Sequence, residues 1–329
     1  MKIGKVSESV LKRSVLKEIK NTREEVLIGA DVGEDCAVLA LKEDEVFVVS
    51  TDPVTGATKD VGMLAVNVAV NDLAASGAEP VGLLISALLP EEITEGDIKA
   101  MMRQVNETCE KLNVSVIGGH TEVTTAVNRP ILTVTGIGKT RKDAVCLTRA
   151  AKPGQDLVVT KWVGLEGTGI IAKEKEAELA ARYPLSLIRE AQHFDKFLSV
   201  LKESEIAVKS GVSAMHDVTE GGIFGALWEL AAGSKVGLEV DLKKIPIRQE
   251  TVEVCNFYEI NPYELISSGS MLMATDNGHD LVRELAKEGI EAAVIGKTTA
   301  GNDRVVVNDG EVRYLEPPKT DELYKVMKF

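Results

Sequence analysis

Residues 61–78 read VGMLAVNVAVNDLAASGA, an almost wholly apolar run closed by Gly77, with Pro80 just beyond. Apolar side chains on every face, a glycine at the stop and a proline beyond it predict a buried helix from about Asp60 to Ser76. Asn67 and Asn71 are four apart and share one face, with Asp72 beside it. A buried amide without a partner costs about 1–3 kcal/mol, and a carboxylate more, so these three groups need a polar counterpart. A ligand or metal could supply it, and so could a strand end or a buried water.

Outward from this helix the chain alternates strands with helices. In the first half, β-rich runs are expected at Cys36–Leu41 and Val46–Ser50, and further strands at Gly82–Leu89, Val114–Ile117 and Ile131–Gly136. A second helix is expected at Glu95–Leu112, where Thr94 and Asp97 form a capping-box pattern and Ile98, Met101, Met102, Val105 and Cys109 recur at helical spacing. The second half repeats the alternation, with strands at Leu157–Thr160 and Gly237–Asp241 and helices near Leu165–Ala181, Pro184–Leu201, Ile223–Ala232 and Gly278–Lys287. The fold class is α/β to α+β. The basic, turn-prone stretch from Lys139 to Asp156, with Pro153-Gly154 before a strand, places a joint near Arg149 and two domains at 1–149 and 150–329.

The chain has 329 residues, 44% hydrophobic and 27% charged, which is enough for two ordinary cores. Its 38 basic and 51 acidic residues leave a net charge of −13, which disfavours nucleic acid and anionic membranes as partners. No stretch reaches the roughly 20 apolar residues that a bilayer span requires, and the N-terminus has no apolar core of a signal peptide. A cytoplasmic protein is expected. The four cysteines form no CxxC pair and the four histidines no HExxH, so the usual spacings of structural zinc and redox motifs are missing.

Chemistry concentrates in short polar motifs. Gly29–Ala37, GADVGEDCA, crowds Asp31, Glu34 and Asp35 between glycines, and Asp52 follows a strand in Ser50-Thr-Asp-Pro53. Clustered carboxylates of this kind suit Mg²⁺, which prefers a few acids, waters and phosphate oxygens, and they equally suit a solvated surface. In Ile117–Glu122, IGGHTE, the paired Gly118-Gly119 permits close backbone approach to a phosphate, and His120 is a candidate proton carrier or a structural donor. Met215–Gly222, MHDVTEGG, opens a helix whose free amides could seat an anion, with Asp217 and Thr219 as ligands or caps. Gly164–Gly169, GLEGTG, and Ile266–Ser270, ISSGS, are two weaker glycine-rich turns. Both Gly-Lys-Thr tripeptides, at 138–140 and 296–298, lack the earlier glycine of a Walker A loop and read as strand exits. There is no GxSxG elbow.

Taken in order, GEDCAV (33–38), STDP (50–53), NDLAASGA (71–78), GGHTEV (118–123), HDVTEGG (216–222) and ISSG (266–269) resemble the AIR synthase superfamily over nearly the whole chain. The superfamily includes aminoimidazole ribonucleotide synthase, thiamine-monophosphate kinase, selenophosphate synthetase and the HypE-like hydrogenase maturation proteins, to which the likeness is closest. The resemblance implies an N-terminal domain whose sheet pairs across a homodimer and a C-terminal α+β domain, with MgATP bound between them. It implies Asp35, Asp52 and Asp72 as acids for Mg²⁺ and phosphate, with Gly33, Asn71, Gly118, Gly119 and Thr121 beside the nucleotide. Thr219, Gly221 and Gly222 match the second-half motif near substrate or phosphates, and Asp72, His120 and Asp217 are the candidate catalytic residues. Two departures stand out: no cysteine follows Cys255, where HypE carries a terminal one, and His120, Glu122 and Glu220 stand where HypE commonly has an acid and two bases. The expected function is phosphorylation of an amide, carbamoyl or related oxygen on a small-molecule or protein-borne acceptor. A small-molecule kinase of the thiamine-monophosphate type, or a non-catalytic nucleotide-binding accessory in hydrogenase maturation, is the alternative.

Overall fold

Alternate residues of the strand Ile131–Arg141 are buried and half-exposed, whereas every residue of Met271–Thr275 is buried. That contrast separates two sheets, one open on a face and the other covered on both. The computed structural model describes residues 4–5, 7–30, 36–55, 59–317 and 319–327. Chain contacts divide it into two units, the first running to Leu73 and again over Ala78–Val145, the second taking Ala74–Gly77 and the chain from Cys146 onward.

The first unit contains β1 (Gly4–Lys5), α1 (Glu8–Ser14), β2 (Val26–Ile28), β3 (Val38–Leu39), β4 (Glu45–Val54), α2 (Val61–Ala75), β5 (Glu79–Leu89), α3 (Glu95–Leu112), β6 (Ser115–Val123) and β7 (Ile131–Arg141). Its main sheet runs β1-β6-β5-β7-β4, with β5 and β6 parallel and the other pairs antiparallel. Helix α2 forms where its apolar run predicts, and it approaches β7 closely: a Cβ on Gly136 would lie 3.1 Å from the Ala69 carbonyl. Helix α3 has the expected reciprocal cap, the Asp97 N–H donating to Thr94 Oγ1 at 3.2 Å and the Thr94 N–H to Asp97 Oδ2 at 3.0 Å. Asn113, left-handed at φ 51°, ends it. Its buried stripe is Ile98, Met101, Met102, Val105 and Cys109, which is core packing.

The second unit contains β8 (Asp156–Thr160), α4 (Leu165–Glu174), α5 (Glu176–Leu179), α6 (Leu185–Gln192), α7 (Leu201–Lys209), β9 (Ala214–Asp217), α8 (Gly222–Ser234), β10 (Gly237–Asp241), α9 (Gln249–Tyr258), β11 (Met271–Thr275), α10 (Gly278–Lys287), β12 (Ala292–Thr299), β13 (Arg304–Asn308), β14 (Glu311–Tyr314) and α11 (Leu323–Val326). Seven strands form one sheet in the order β14-β13-β10-β12-β8-β11-β9. Leu157, Val159, Leu272 and Ala274 pack with α8 residues Ile223, Ala226, Leu227 and Leu230, while Val158, Met271 and Met273 pack with Ala207 of α7 and Leu281 and Leu285 of α10. Leu157–Val159 and Met271–Ala274 are therefore apolar at every position, because both pleat faces meet a helix.

Two expected helices change. The helix anticipated over Leu165–Ala181 breaks at Lys175 into α4 and α5. The helix anticipated over Pro184–Leu201 ends at Gln192, followed by a 3₁₀ turn over His193–Phe197. Both Gly-Lys-Thr tripeptides lie inside the last stretches of β7 and β12, so neither forms a phosphate loop.

Candidate functional site

Strand β4 carries Ser50 and Asp52 on the side of the sheet that faces α2, two residues apart as the pleat requires. Helix α2 presents Asp72 to the same place, and the Ser50 hydroxyl hydrogen-bonds to Asp72 Oδ2 while lying 3.3 Å from Asp52 Oδ2. One hydroxyl has one hydrogen, so it can donate to only one of the two carboxylates at a time. Both acids are half-exposed, which leaves their oxygens within reach of a cation from solution. Asp52 is the third residue from the end of β4, because the strand runs on to Val54. Asn71 is wholly buried, and Asn67 turns its amide back to the Met63 carbonyl at 3.0 Å, a local bond along the helix.

Gly33 and Asp35 lie outside the described residues, as do Asp31 and Glu34. Among the described residues no three His, Cys, Asp or Glu side chains gather as a metal-binding group. Asp52 and Asp72 thus provide two acids of the expected three, a fit to a hard cation that takes oxygen ligands and keeps waters of its own.

The glycine turn expected before His120 is absent, because β6 continues from Ser115 to Val123, with only a register shift against β5 between Val116 and Gly118. Gly119 serves strand contact: its φ is 145°, and a Cβ there would lie 2.0 Å from the Ile85 carbonyl oxygen. Across the sheet Gly119 is level with Ile85, Val134 and Asp52, whereas His120 is level with Ser86, Thr133 and Pro53. Neighbouring rows point to opposite faces, so His120 leaves the sheet on the face away from Asp52 and Asp72. There its Nε2 meets Glu122 Oε2 at 2.9 Å, and the side chain is 45% exposed. Gly118 pairs with Leu84, and Thr121, buried, pairs with Ala87.

In the second unit Asp217 ends β9 and is buried. The Thr219 carbonyl accepts from the Gly222 N–H at 3.0 Å, closing the turn, and Gly221 and Gly222 take left-handed angles of 80° and 60°. A side chain on Gly222 would strike the carbonyls of Tyr263 and Leu265 at 2.6 and 2.8 Å. The anion expected at the head of α8 is supplied by the chain: Asp321 Oδ2 accepts from the Gly221 N–H at 2.7 Å. His216 Nε2 lies 2.8 Å from Glu229 Oε2. The two weaker glycine turns are stitched together, with Ser267 Oγ accepting from the Gly164 N–H at 2.6 Å and the Gly167 N–H donating to the Ile266 carbonyl at 3.0 Å.

Two site residues were not singled out by sequence. Ser50 had a signal in its two-residue spacing from Asp52, whereas Asp321 had none, being 100 residues from Gly221.

Residues 33–140 match the model of the AIR synthase related protein N-terminal domain, and residues 152–308 match that of its C-terminal domain. The chain belongs to the AIR synthase related family. It is 28% identical over 313 residues to a candidate hydrogenase expression/formation protein of Methanocaldococcus jannaschii, covering 92% of this chain and 91% of that one. It is 26% identical over 275 residues to the carbamoyl dehydratase HypE of Cupriavidus necator, covering 78% and 76%. A crystal structure of the hydrogenase maturation protein HypE in complex with ATP shares the fold at a TM-score of 0.81 and 20% identity, over 98% of this chain and 97% of that one. The two-domain AIR-synthase-like fold and the HypE-like character expected from the motifs therefore hold. No helix among the described residues is long and apolar enough to cross a membrane.

Proposed function

We propose that this chain is an ATP- and Mg²⁺-dependent enzyme of the HypE kind, which phosphorylates an amide, carbamoyl or related oxygen of its acceptor. The observation that carries this reading is the meeting of Asp52 and Asp72 at Ser50, on a chain whose relatives include HypE. Phosphoryl transfer asks a protein mainly to position the reactants and neutralise charge. Asp52 and Asp72, with Asp35, would hold Mg²⁺, which when bound would neutralise phosphate charge. Ser50 orients the two described carboxylates, and Asn71, Gly118, Gly119 and Thr121 stand beside the nucleotide. Asp217, Thr219 and the Gly221-Gly222 turn serve the acceptor or the phosphates, and Asp217 is the candidate for handling its proton, since His120 lies on the sheet face away from Asp52 and Asp72.

The uncovered face of the first sheet supports a homodimer. Phe47 and Val49 of β4 are 46% and 61% exposed, and Val49 pairs with the half-buried Ile137 across the strand boundary. Thr51 and Thr135, bonded at 2.9 Å, lie on the same face, between the Val49 row and the row that holds His120. A chain of this kind sediments at twice its mass, and Val49→Arg returns it to monomer mass; a wild-type monomer removes the dimer from the account.

The function is tested by following the γ-phosphate of ATP with candidate amide and carbamoyl acceptors. Acceptor-dependent formation of ADP supports the reading. Phosphate retained on a hydroxyl or phosphate product favours the small-molecule kinase, and no turnover with any acceptor, despite nucleotide binding, favours the accessory.

A further inference from the structure

Glu166 is the second residue of α4 and is 6% exposed. Its Oε2 and the Oγ of Ser268 are both shut off from solvent, and Ser268 supplies the hydrogen bonding to this carboxyl. A buried carboxyl in that condition is costly as an anion and much less so as an acid. Hydrogen bonding from Ser268 favours the anion by more than either acid opposes it, while Asp321 and Glu220 both act on Glu166 as negative charges. On its other sides α4 meets neutral Thr251 through Thr168 at 3.0 Å and pairs its own Lys173 with Asp195 at 2.7 Å. The lysines near Asp321 turn away, Lys319 to Glu316 and Lys325 to Glu322.

Asp321 belongs to the segment 320–326, which is tied down by a few polar bonds. Asp321 Oδ2 takes the Gly221 N–H at 2.7 Å and Oδ1 the Leu323 N–H at 2.8 Å. Glu322 Oε2 takes the Asn261 N–H at 3.2 Å, and the Tyr324 hydroxyl donates to Glu220 Oε1 at 2.8 Å. Leu323 and Val326 are buried, and α11 packs against α4. The segment thus holds a carboxylate against the helix that carries Glu166.

We infer that residues 320–326 form a proton-operated latch, closed over Glu166 while that carboxyl is protonated and loosened when it ionises. Opening frees the Gly221 N–H at the head of α8, together with Glu166 and Ser268, and a free helix N-terminus of this kind attracts anions. Burial first, then its acidic neighbours, push the Glu166 carboxyl up from 4.5 to about 7. Burial likewise raises Asp321 above its ordinary value.

The sign follows from linkage. A carboxyl whose value is raised in the closed state favours closure fully below 4.5, and that advantage is lost as pH rises through about 7. One proton then leaves per opening, so the opening constant of the latch should rise about tenfold per pH unit between roughly 5 and 7 and level off above. Amide hydrogen exchange of peptides covering 319–327 in the full-length chain, corrected for the intrinsic pH dependence of exchange, reads this slope. Glu166→Gln, which mimics the protonated acid, should flatten it while peptides from α10 keep their protection. Tyr324→Phe should raise exchange at every pH and keep the wild-type slope, which serves if Glu166→Gln does not fold. A flat wild-type profile, an unaltered slope in Glu166→Gln, or unchanged exchange in Tyr324→Phe would overturn the latch. Since none of these readings involves nucleotide, they stand or fall independently of ATP use.

Discussion

Two groups of acids in this chain are held by different means. Asp52 and Asp72 gather on one serine hydroxyl at half-exposed positions, where a cation from solution can reach them. Glu166 and Asp321 are buried beside each other's charge, where a proton is the available remedy. A third arrangement calibrates both: Glu25, buried near the end of the first sheet, is flanked by the Arg23 guanidinium at 2.7 Å and by the Lys139 ammonium. Crowded carboxylates that the protein has neutralised with its own cations, as at Glu25, therefore read as structure and not as a site.

The largest effect that would break this contrast is at Asp72. Asp72→Asn should lower ATP turnover by on the order of 100-fold or more, with the melting temperature nearly unchanged, because a half-exposed acid contributes little to the fold. Initial rates of phosphate release, read beside a melting curve, check both halves; full activity with intact Mg²⁺ dependence would remove Asp72 from the site. Lys139→Met should do the reverse, costing about 3 kcal/mol of stability by leaving Glu25 without its ammonium, as measured by denaturant unfolding. A change within error there would mean that Arg23 suffices alone.

Ser50→Ala sharpens the contrast at smaller scale. The hydroxyl orients ligands without being one of the acids, so its loss should weaken Mg²⁺-dependent ATP binding by about tenfold, measured by titration calorimetry. Unaltered affinity would reduce Ser50 to a spectator. The smallest effect is in acid. Hydrogen bonding to Arg23 foremost, and to Lys139, holds the Glu25 carboxyl down at about 2. Its contribution is present above the ordinary value of 4.5 and is lost as pH falls through about 2, so Glu25→Gln should shallow that limb of the stability profile.

How much of this was legible in sequence depended on whether a signal was local. Helices α2 and α3 were readable because an apolar run with a glycine stop, and a reciprocal Thr94–Asp97 cap, act within a few residues. The strand through Gly118–Glu122 was not, because paired glycines mark a turn as readily as a close approach, and only the Ile85 carbonyl at 2.0 Å from a Gly119 Cβ decides. The helix break at Lys175 follows the same rule, since nothing in Leu165–Ala181 punctuates it. Asp52 and Asp72 were recognisable as acids near strand and helix, while their meeting at Ser50 is a tertiary fact. The separation of His120 onto the far face came from strand register. Asp321 was out of reach altogether, because its partner Gly221 is distant in the chain.

The most direct measurement of the central claim is the melting temperature of the full chain with MgATP, with ATP plus EDTA and with Mg²⁺ alone, in wild type and in Asp52→Asn. Ligand at about 100 times its dissociation constant adds roughly 2.7 kcal/mol, a shift of several degrees for a chain of this size. The account predicts that shift in wild type only when metal and nucleotide are both present, and its loss in Asp52→Asn. An equal shift with EDTA, or an undiminished one in Asp52→Asn, would contradict it.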